Sequence, residues 1–166
     1  MSEARTIVVM GVSGSGKSTI GSALATRLGF TFIEADAFHS AVNIEKMAGG
    51  TPLTDSDRWP WLEVVEHAIE SAEENHTGSV TACSALRRSY RDHIRAIRPL
   101  AFFVFLEGSY ADIEERVKSR ASGLLPISLL ESQFSDLEVL DDSELGLTVD
   151  SGLSPEAIVE LVVHSL

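Results

Sequence analysis

A three-layer α/β fold, with helices on both faces of a doubly wound, five-stranded parallel sheet, is what this 166-residue chain predicts. Three observations carry the expectation. Short apolar or β-branched runs alternate with stretches of helical spacing from end to end. LAFFVFLEG (100–108) is an unbroken apolar run, as in a strand covered on both faces. The eight residues Gly11 to Ser18, GVSGSGKS, fit the phosphate-loop pattern G-x-x-x-x-G-K-[ST] at every fixed position, between a strand-like run and a helix-like one.

Taken in order, RTIVVM (5–10) predicts the first strand, and Ile20, Leu24 and Leu28 stripe a helix that begins near Lys17 and closes at Gly29. FTFIEAD (30–36) predicts a second strand ending in Glu34 and Asp36. Residues 41–49 form a short helix stopped by Gly49-Gly50. Thr54 and Asp57 are spaced as a capping box, with Pro60 in the first turn of the helix they open and Trp61, Leu62, Val65, Ala68, Ile69 and Ala72 as its apolar stripe. SVTACSAL (79–86) begins a third strand, and LRRSYRDHIRAI a basic helix ended by Pro99. After the fourth strand (100–108) comes a charged helix (109–120), interrupted by ASGLLP (121–126) and resumed in SLLESQFSDLEVL. GLTVDSG is the last strand. Ser154 as N-cap, Pro155 at the first helical position and Ile158, Val159, Leu161 and Val162 make the closing helix. No repeat or linker divides the chain, so a single domain over 1–166 is expected.

The net charge of −12 argues against nucleic acid or an anionic membrane as partner. No apolar run approaches 18 residues, MSEART lacks a secretory hydrophobic region, and Cys83 is the only cysteine; a cytoplasmic location is expected. The charge is unevenly placed, with eight of the thirteen Lys/Arg in residues 83–120. That concentration suits either small anionic ligands or a solvated helix face balanced by nearby carboxylates.

The phosphate loop has a physical task at each position. Backbone N–H groups of a glycine-rich turn form an anion nest, and the helix that follows turns its positive end toward it. Gly11, Val12, Ser13, Gly14, Ser15, Gly16, Lys17, Ser18 and Thr19 are therefore the expected nucleotide cradle, with Lys17 reaching the β and γ phosphate oxygens and the Ser18 hydroxyl ligating Mg²⁺. In such sheets ligands bind beyond the strands' carboxyl ends. Asp36 at one such end can accept a substrate proton or hold Mg²⁺ through water, or else serve as a surface cap. His39 stands three residues on, either at the substrate or as a structural loop histidine. Arg58 can fork onto a substrate carboxylate or pair with Asp55. Arg87, Arg88 and Arg91 open the helix after the third strand and are candidate anion contacts. Arg116 and Arg120, four apart, can bring positive charge to transferring phosphates from a lid over about 116–130, or pair with Glu115 or Asp112. Trp59 and Trp61 read as packing residues, Cys83 as a small core residue, and the acids of 131–144 as a solvated face.

Several segments together resemble the gluconate kinase family of phosphate-loop small-molecule kinases: MGVSGSGKST (10–19), EADAFHSAVNIEKMAGGTPLTDSDRWPWL (34–62), CSALRRSYRDHIR (83–95) and LLPISLLESQF (124–134). The stretch from Asp36 through His39, Asn43, Lys46 and Met47 to Asp57-Arg58-Trp59-Pro60-Trp61 is the most specific. The resemblance spans the whole chain. It implies a fold of the nucleoside-monophosphate and shikimate kinase type, MgATP-dependent phosphorylation of D-gluconate at the C6 hydroxyl, and a homodimer. It also implies Lys17, Asp36 and Arg120 as catalytic groups, with the acceptor held by a segment over about 36–75 through Asp36, His39 and Arg58, and by Arg87, Arg88 and Arg91. Two departures are visible. Ala35 stands where the family has glycine, and Arg120-Ala121-Ser122-Gly123-Leu124-Leu125-Pro126 replaces a lid reading Arg-x-Gly-His-Phe-Met-Pro.

Overall fold

A computed structural model describes residues 5–74, 78–119 and 126–166. Five strands, β1 (Thr6–Met10), β2 (Thr31–Glu34), β3 (Ser79–Ala82), β4 (Phe102–Glu107) and β5 (Gly146–Asp150), form one sheet in the order β2-β3-β1-β4-β5. Every pairing is parallel, with Val8 opposite Thr81 on one side and Phe103 on the other. The helices are α1 (Lys17–Leu28), α2 (Ala41–Ala48), α3 (Asp55–Glu74), α4 (Arg88–Ile97), α5 (Tyr110–Ser119), α6 (Ile127–Asp136) and α7 (Pro155–Ser165).

Alternation along the strands builds two cores, one on each face. Val8, Met10, Phe103 and Phe105 meet Trp61, Leu62, Val65 and Ile69 of α3 and Tyr90 and Ile94 of α4. Their neighbours Ile7, Val9, Phe102, Val104 and Leu106 meet Ile20 and Leu24 of α1 and Ile158, Val159 and Val162 of α7. A third cluster, Val12, Leu86, Ile113 and Leu130, seats α5 and α6 against the phosphate loop. Chain direction across the sheet reverses at β1, whose carboxyl end feeds that loop; this is the switch point at which such sheets bind ligands.

The caps act as the sequence predicts. Thr54 N–H donates to Asp57 Oδ2 (2.9 Å) and Asp57 N–H to Thr54 Oγ1 (3.2 Å). Gly29 closes α1 in the left-handed region, and Ser154 Oγ accepts from Ala157 N–H. Other boundaries shift. β2 stops at Glu34 because residues 35–38 tighten into a 3₁₀ turn, so Asp36 sits in that turn and not in the strand. β3 ends at Ala82, and residues 83–86 run on as an irregular loop. Pro60 is the sixth residue of α3, past the first turn. Leu161, predicted to join the buried stripe of α7, is 46% exposed.

Candidate active site

The carboxyl ends of β1, β2 and β3 surround a cavity of about 520 Å³. Ser13, Lys17 and Ser18 form one wall, Glu34, Asp36, His39, Arg58 and Trp61 another, and Ser84, Leu86, Leu129, Ser132 and Gln133 close it from the side.

The phosphate loop is shaped by steric exclusion. Gly16 caps α1 at φ 98°, and Gly14 (φ 83°) lies so near α5 that an added Cβ would stand 2.8 Å from Val117 Cγ2. Lys17 Nζ donates to Val12 O (2.9 Å), and Gly11 N–H to Ser84 O (3.2 Å). These bonds tie the loop to itself and to the segment after β3.

The Ser18 hydroxyl donates to Glu34 Oε2. Sequence reasoning saw Glu34 only as the end of a strand; its signal was a carboxylate closing an otherwise apolar run. Hydroxyl and carboxylate are hard oxygen donors of the kind Mg²⁺ takes, with Asp36 two residues on. Among the described residues no cluster of three or more His, Cys, Asp or Glu could hold a metal alone. A cation here would therefore complete its shell with phosphate oxygens and water, the usual arrangement for Mg²⁺.

On the acceptor side, the Asp36 side chain is largely exposed, while that of His39 is only 5% exposed, with Nε2 3.9 Å from Asp36 Oδ1. The His39 ring stacks on Trp61 at 4.3 Å, and the Trp61 indole N–H donates to Ala35 O (2.7 Å). Burial holds the His39 pKa below its ordinary value; Asp36 pulls it up and Arg58 pushes it down. The Asn43 amide nitrogen lies 3.5 Å from Nδ1 of the ring. Asn43 also donates to Asp57 O (3.1 Å), and Lys46 pairs with Asp57 at 2.9 Å, which fixes α2 against α3. Arg58 Nη1 donates to Tyr90 Oη (2.8 Å) and lies 3.5 Å from Asp136 Oδ2; Asp55 instead accepts from the Tyr90 hydroxyl. Trp61 is thus a cavity wall as well as a packing residue, whereas Trp59 packs edge-on against Tyr90. Burial pushes the Cys83 thiol up to about 12, in keeping with an inert core residue.

The arginines after β3 require a correction. Arg91 does not reach the cavity: it is fully buried and bonds Glu144 through Nε (2.8 Å) and Nη2 (3.0 Å). Arg88 pairs with Asp141, and its N–H donates to Glu138 (2.8 Å). Arg87 pairs with Asp136 (2.8 Å), and none of the three lines the cavity. The acids of 131–144 are correspondingly not a plain solvated face, because four of them anchor this helix. Arg116 turns to Ser151 after β5, its Nη1 3.3 Å from Oγ and its Nη2 3.2 Å from the carbonyl oxygen, in place of Asp112 or Glu115. Thr19 is exposed in the first turn of α1. Arg120, and the lid residues Ala121 to Leu125, lie outside the described residues. Gln133 is a cavity residue that no spacing in the sequence had marked; its Oε1 accepts from Ser13 N–H at 2.6 Å.

A family model described as an AAA domain matches residues 7–137. The gluconokinase of Gluconobacter oxydans (strain 621H) is 42% identical over 160 residues, covering 96% of this chain and 90% of the relative. The crystal structure of a gluconokinase from Sinorhizobium meliloti 1021 superposes with a TM-score of 0.87 at 43% identity, covering 96% of this chain and 90% of that one. Shikimate kinase from Aquifex aeolicus shares the fold alone, at 19% identity and a TM-score of 0.60, over 96% of this chain and 95% of its own. With the phosphate loop in place, and likeness running over nearly its full length, this chain belongs to the gluconokinase family of phosphate-loop kinases.

Proposed function

We propose that this chain moves the terminal phosphoryl group of MgATP to the C6 hydroxyl of D-gluconate, giving 6-phospho-D-gluconate and ADP. The observation that carries the reading is one cavity lined on one side by the phosphate loop with Ser18 and Glu34, and on the other by Asp36, His39 and Arg58. Bound Mg²⁺ would neutralise charge on the phosphates, with Ser18 and, through water, Glu34 and Asp36 as its protein partners. Lys17 and the loop N–H groups stabilise the charge that builds on the transferring group. As the acceptor oxygen bonds to phosphorus and the bond to ADP breaks, Asp36 takes the hydroxyl proton, with His39 beside it in the acceptor wall. Arg58, oriented by Tyr90 and only partly balanced by Asp136, is the cation for the gluconate carboxylate. Arg120, outside the described residues, is taken on the family resemblance as the cation that covers the transferring phosphates. Arg87 and Arg88 act at most through Asp136 and Asp141.

The same reading takes the chain as one kinase domain in a cytoplasmic homodimer, with sedimentation velocity as the direct check on assembly. Kinetics test the assignment of roles. Asp36→Asn keeps shape but loses proton acceptance, so kcat should fall by about 10²-fold or more with little change in gluconate KM. Arg58→Ala should raise gluconate KM by about tenfold or more and leave the KM for ATP nearly unchanged. An Asp36→Asn enzyme with normal kcat would remove Asp36 as the base.

A further inference from the structure

We propose that the side-chain amide of Gln133 is an internal stand-in for nucleotide phosphate: it holds the Ser13 N–H of the phosphate loop until a phosphate oxygen takes that N–H over. The inference rests on the phosphate-loop part of the functional reading and adds a residue that positions the loop.

Gln133 belongs to α6, 120 residues from Ser13, and its Oε1 accepts the Ser13 N–H at 2.6 Å. Both residues line the cavity. The backbone of α6 is fixed on either side of Gln133. Leu130 packs with Val12 beneath the loop, Asp136 pairs with Arg87 at 2.8 Å, and Gln133 O accepts from Leu137 N–H at 2.9 Å. The helix is therefore held while the Gln133 amide, on three rotatable bonds, can leave its partner without moving it.

The chemistry favours an exchange. An N–H in a phosphate loop is an anion donor, and a neutral amide oxygen is the weaker competitor; a charged phosphate oxygen makes a bond roughly twice as strong. In the nucleotide-free chain the amide keeps this donor satisfied and the loop in shape, so the loop is preorganised at a cost in affinity. Nucleotide must displace the amide and gains only the difference between two hydrogen bonds. The amide so released carries two N–H donors beside the wall where the phosphoryl group passes.

Inorganic tripolyphosphate is the probe, because it contains the phosphates without the base. Gln133→Met keeps the length and removes the acceptor, and should bind tripolyphosphate about three- to tenfold more tightly than the unsubstituted chain, the worth of one net hydrogen bond. Gln133→Glu should bind it at least tenfold more weakly, because a carboxylate holds Ser13 more strongly and repels phosphate. Tripolyphosphate affinity that is unchanged or weaker in a folded Gln133→Met protein would overturn the proposal. Should that variant not fold, the unsubstituted chain still decides. Saturating tripolyphosphate should shift both the Ser13 amide proton and the Gln133 side-chain NH₂ resonances, and a Gln133 NH₂ signal that stays fixed would overturn it. An unsubstituted chain that binds no tripolyphosphate would instead undo the phosphate-loop reading itself.

Discussion

Glu34 alters what Ser18 can do alone. A hydroxyl already bonded to a carboxylate is oriented before any cation arrives, and the carboxylate adds the negative charge a divalent ion needs. Glu34→Gln keeps the size and an acceptor oxygen but removes that charge. The Mg²⁺ concentration for half-maximal activity should rise by about 10- to 100-fold, with gluconate KM unchanged; a Mg²⁺ titration at fixed ATP measures both. An unaltered Mg²⁺ requirement would confine Glu34 to the role of a hydrogen-bond partner. Glu34 and Asp36 both stood in the sequence at the end of an apolar run. What the run did not show is that β2 stops at Glu34 and that Asp36 belongs to the 3₁₀ turn at 35–38, from which both carboxylates line one cavity. Gln133 lies in the segment 124–134 that carries the family resemblance, but nothing singled it out, since one glutamine in an amphipathic helix carries no local mark of a partner 120 residues away.

At the level of elements, the basic helix α4 is a brace for the cavity wall. Arg91 donates to Glu144 and also, through Nη1, to the carbonyls of Ala85 (2.9 Å) and Leu86 (3.2 Å). Ala85 is held at φ 42°, a costly conformation for a residue with a Cβ, and the adjoining Ser84 carbonyl accepts from Gly11 N–H. The guanidinium thus supports a strained turn that in turn meets the phosphate loop. Composition showed the arginines; it could not show that their counter-charges come from a loop about 50 residues on, which is why their position at the sheet's carboxyl edge suggested ligand contact. Removing one partner strands a buried charge. Arg91→Ala should cost roughly 3–5 kcal/mol, while Arg91→Met with Glu144→Leu should recover most of it, as read by denaturant unfolding. Burial alone would raise the Glu144 pKa, but Arg91, the Asp141 N–H and Arg95 outweigh it and hold the carboxyl at about 2 against an ordinary 4.5. A depressed carboxylate pKa stabilises the fold above the unfolded value, and that stability is lost as pH falls through the folded value. Melting temperature should therefore drop between about pH 4.5 and 2, and the Arg91→Met/Glu144→Leu protein should lose less over that window. An equal loss in both would place the acid sensitivity elsewhere.

Across the whole molecule, the parallel order β2-β3-β1-β4-β5 sets the phosphate loop at the end of a central strand and Glu34, Asp36 and His39 at and after the end of β2, around one cavity. Five parallel strands with a ligand at their carboxyl ends were legible from alternating periodicities, because a covered parallel strand and an amphipathic helix leave different marks in sequence; the strand order was not. Strand ends were not, because tertiary bonds such as Cys83 N–H to Val9 O (3.1 Å) continue beyond the regular ladder. On the proposed function, this cavity takes an acceptor with a carboxylate at one end and a hydroxyl at the other. A site built to hydrogen-bond polar groups rejects analogues that lack them, because its own buried polar groups are left unpaired. ADP release in the presence of MgATP and a panel of acceptors tests this most directly. D-gluconate should exceed shikimate, AMP and CMP by about 10²-fold or more, and glucose, without the carboxylate, should give little above the acceptor-free rate. ADP release with gluconate no faster than without acceptor, alongside turnover of shikimate or a nucleotide, would contradict it.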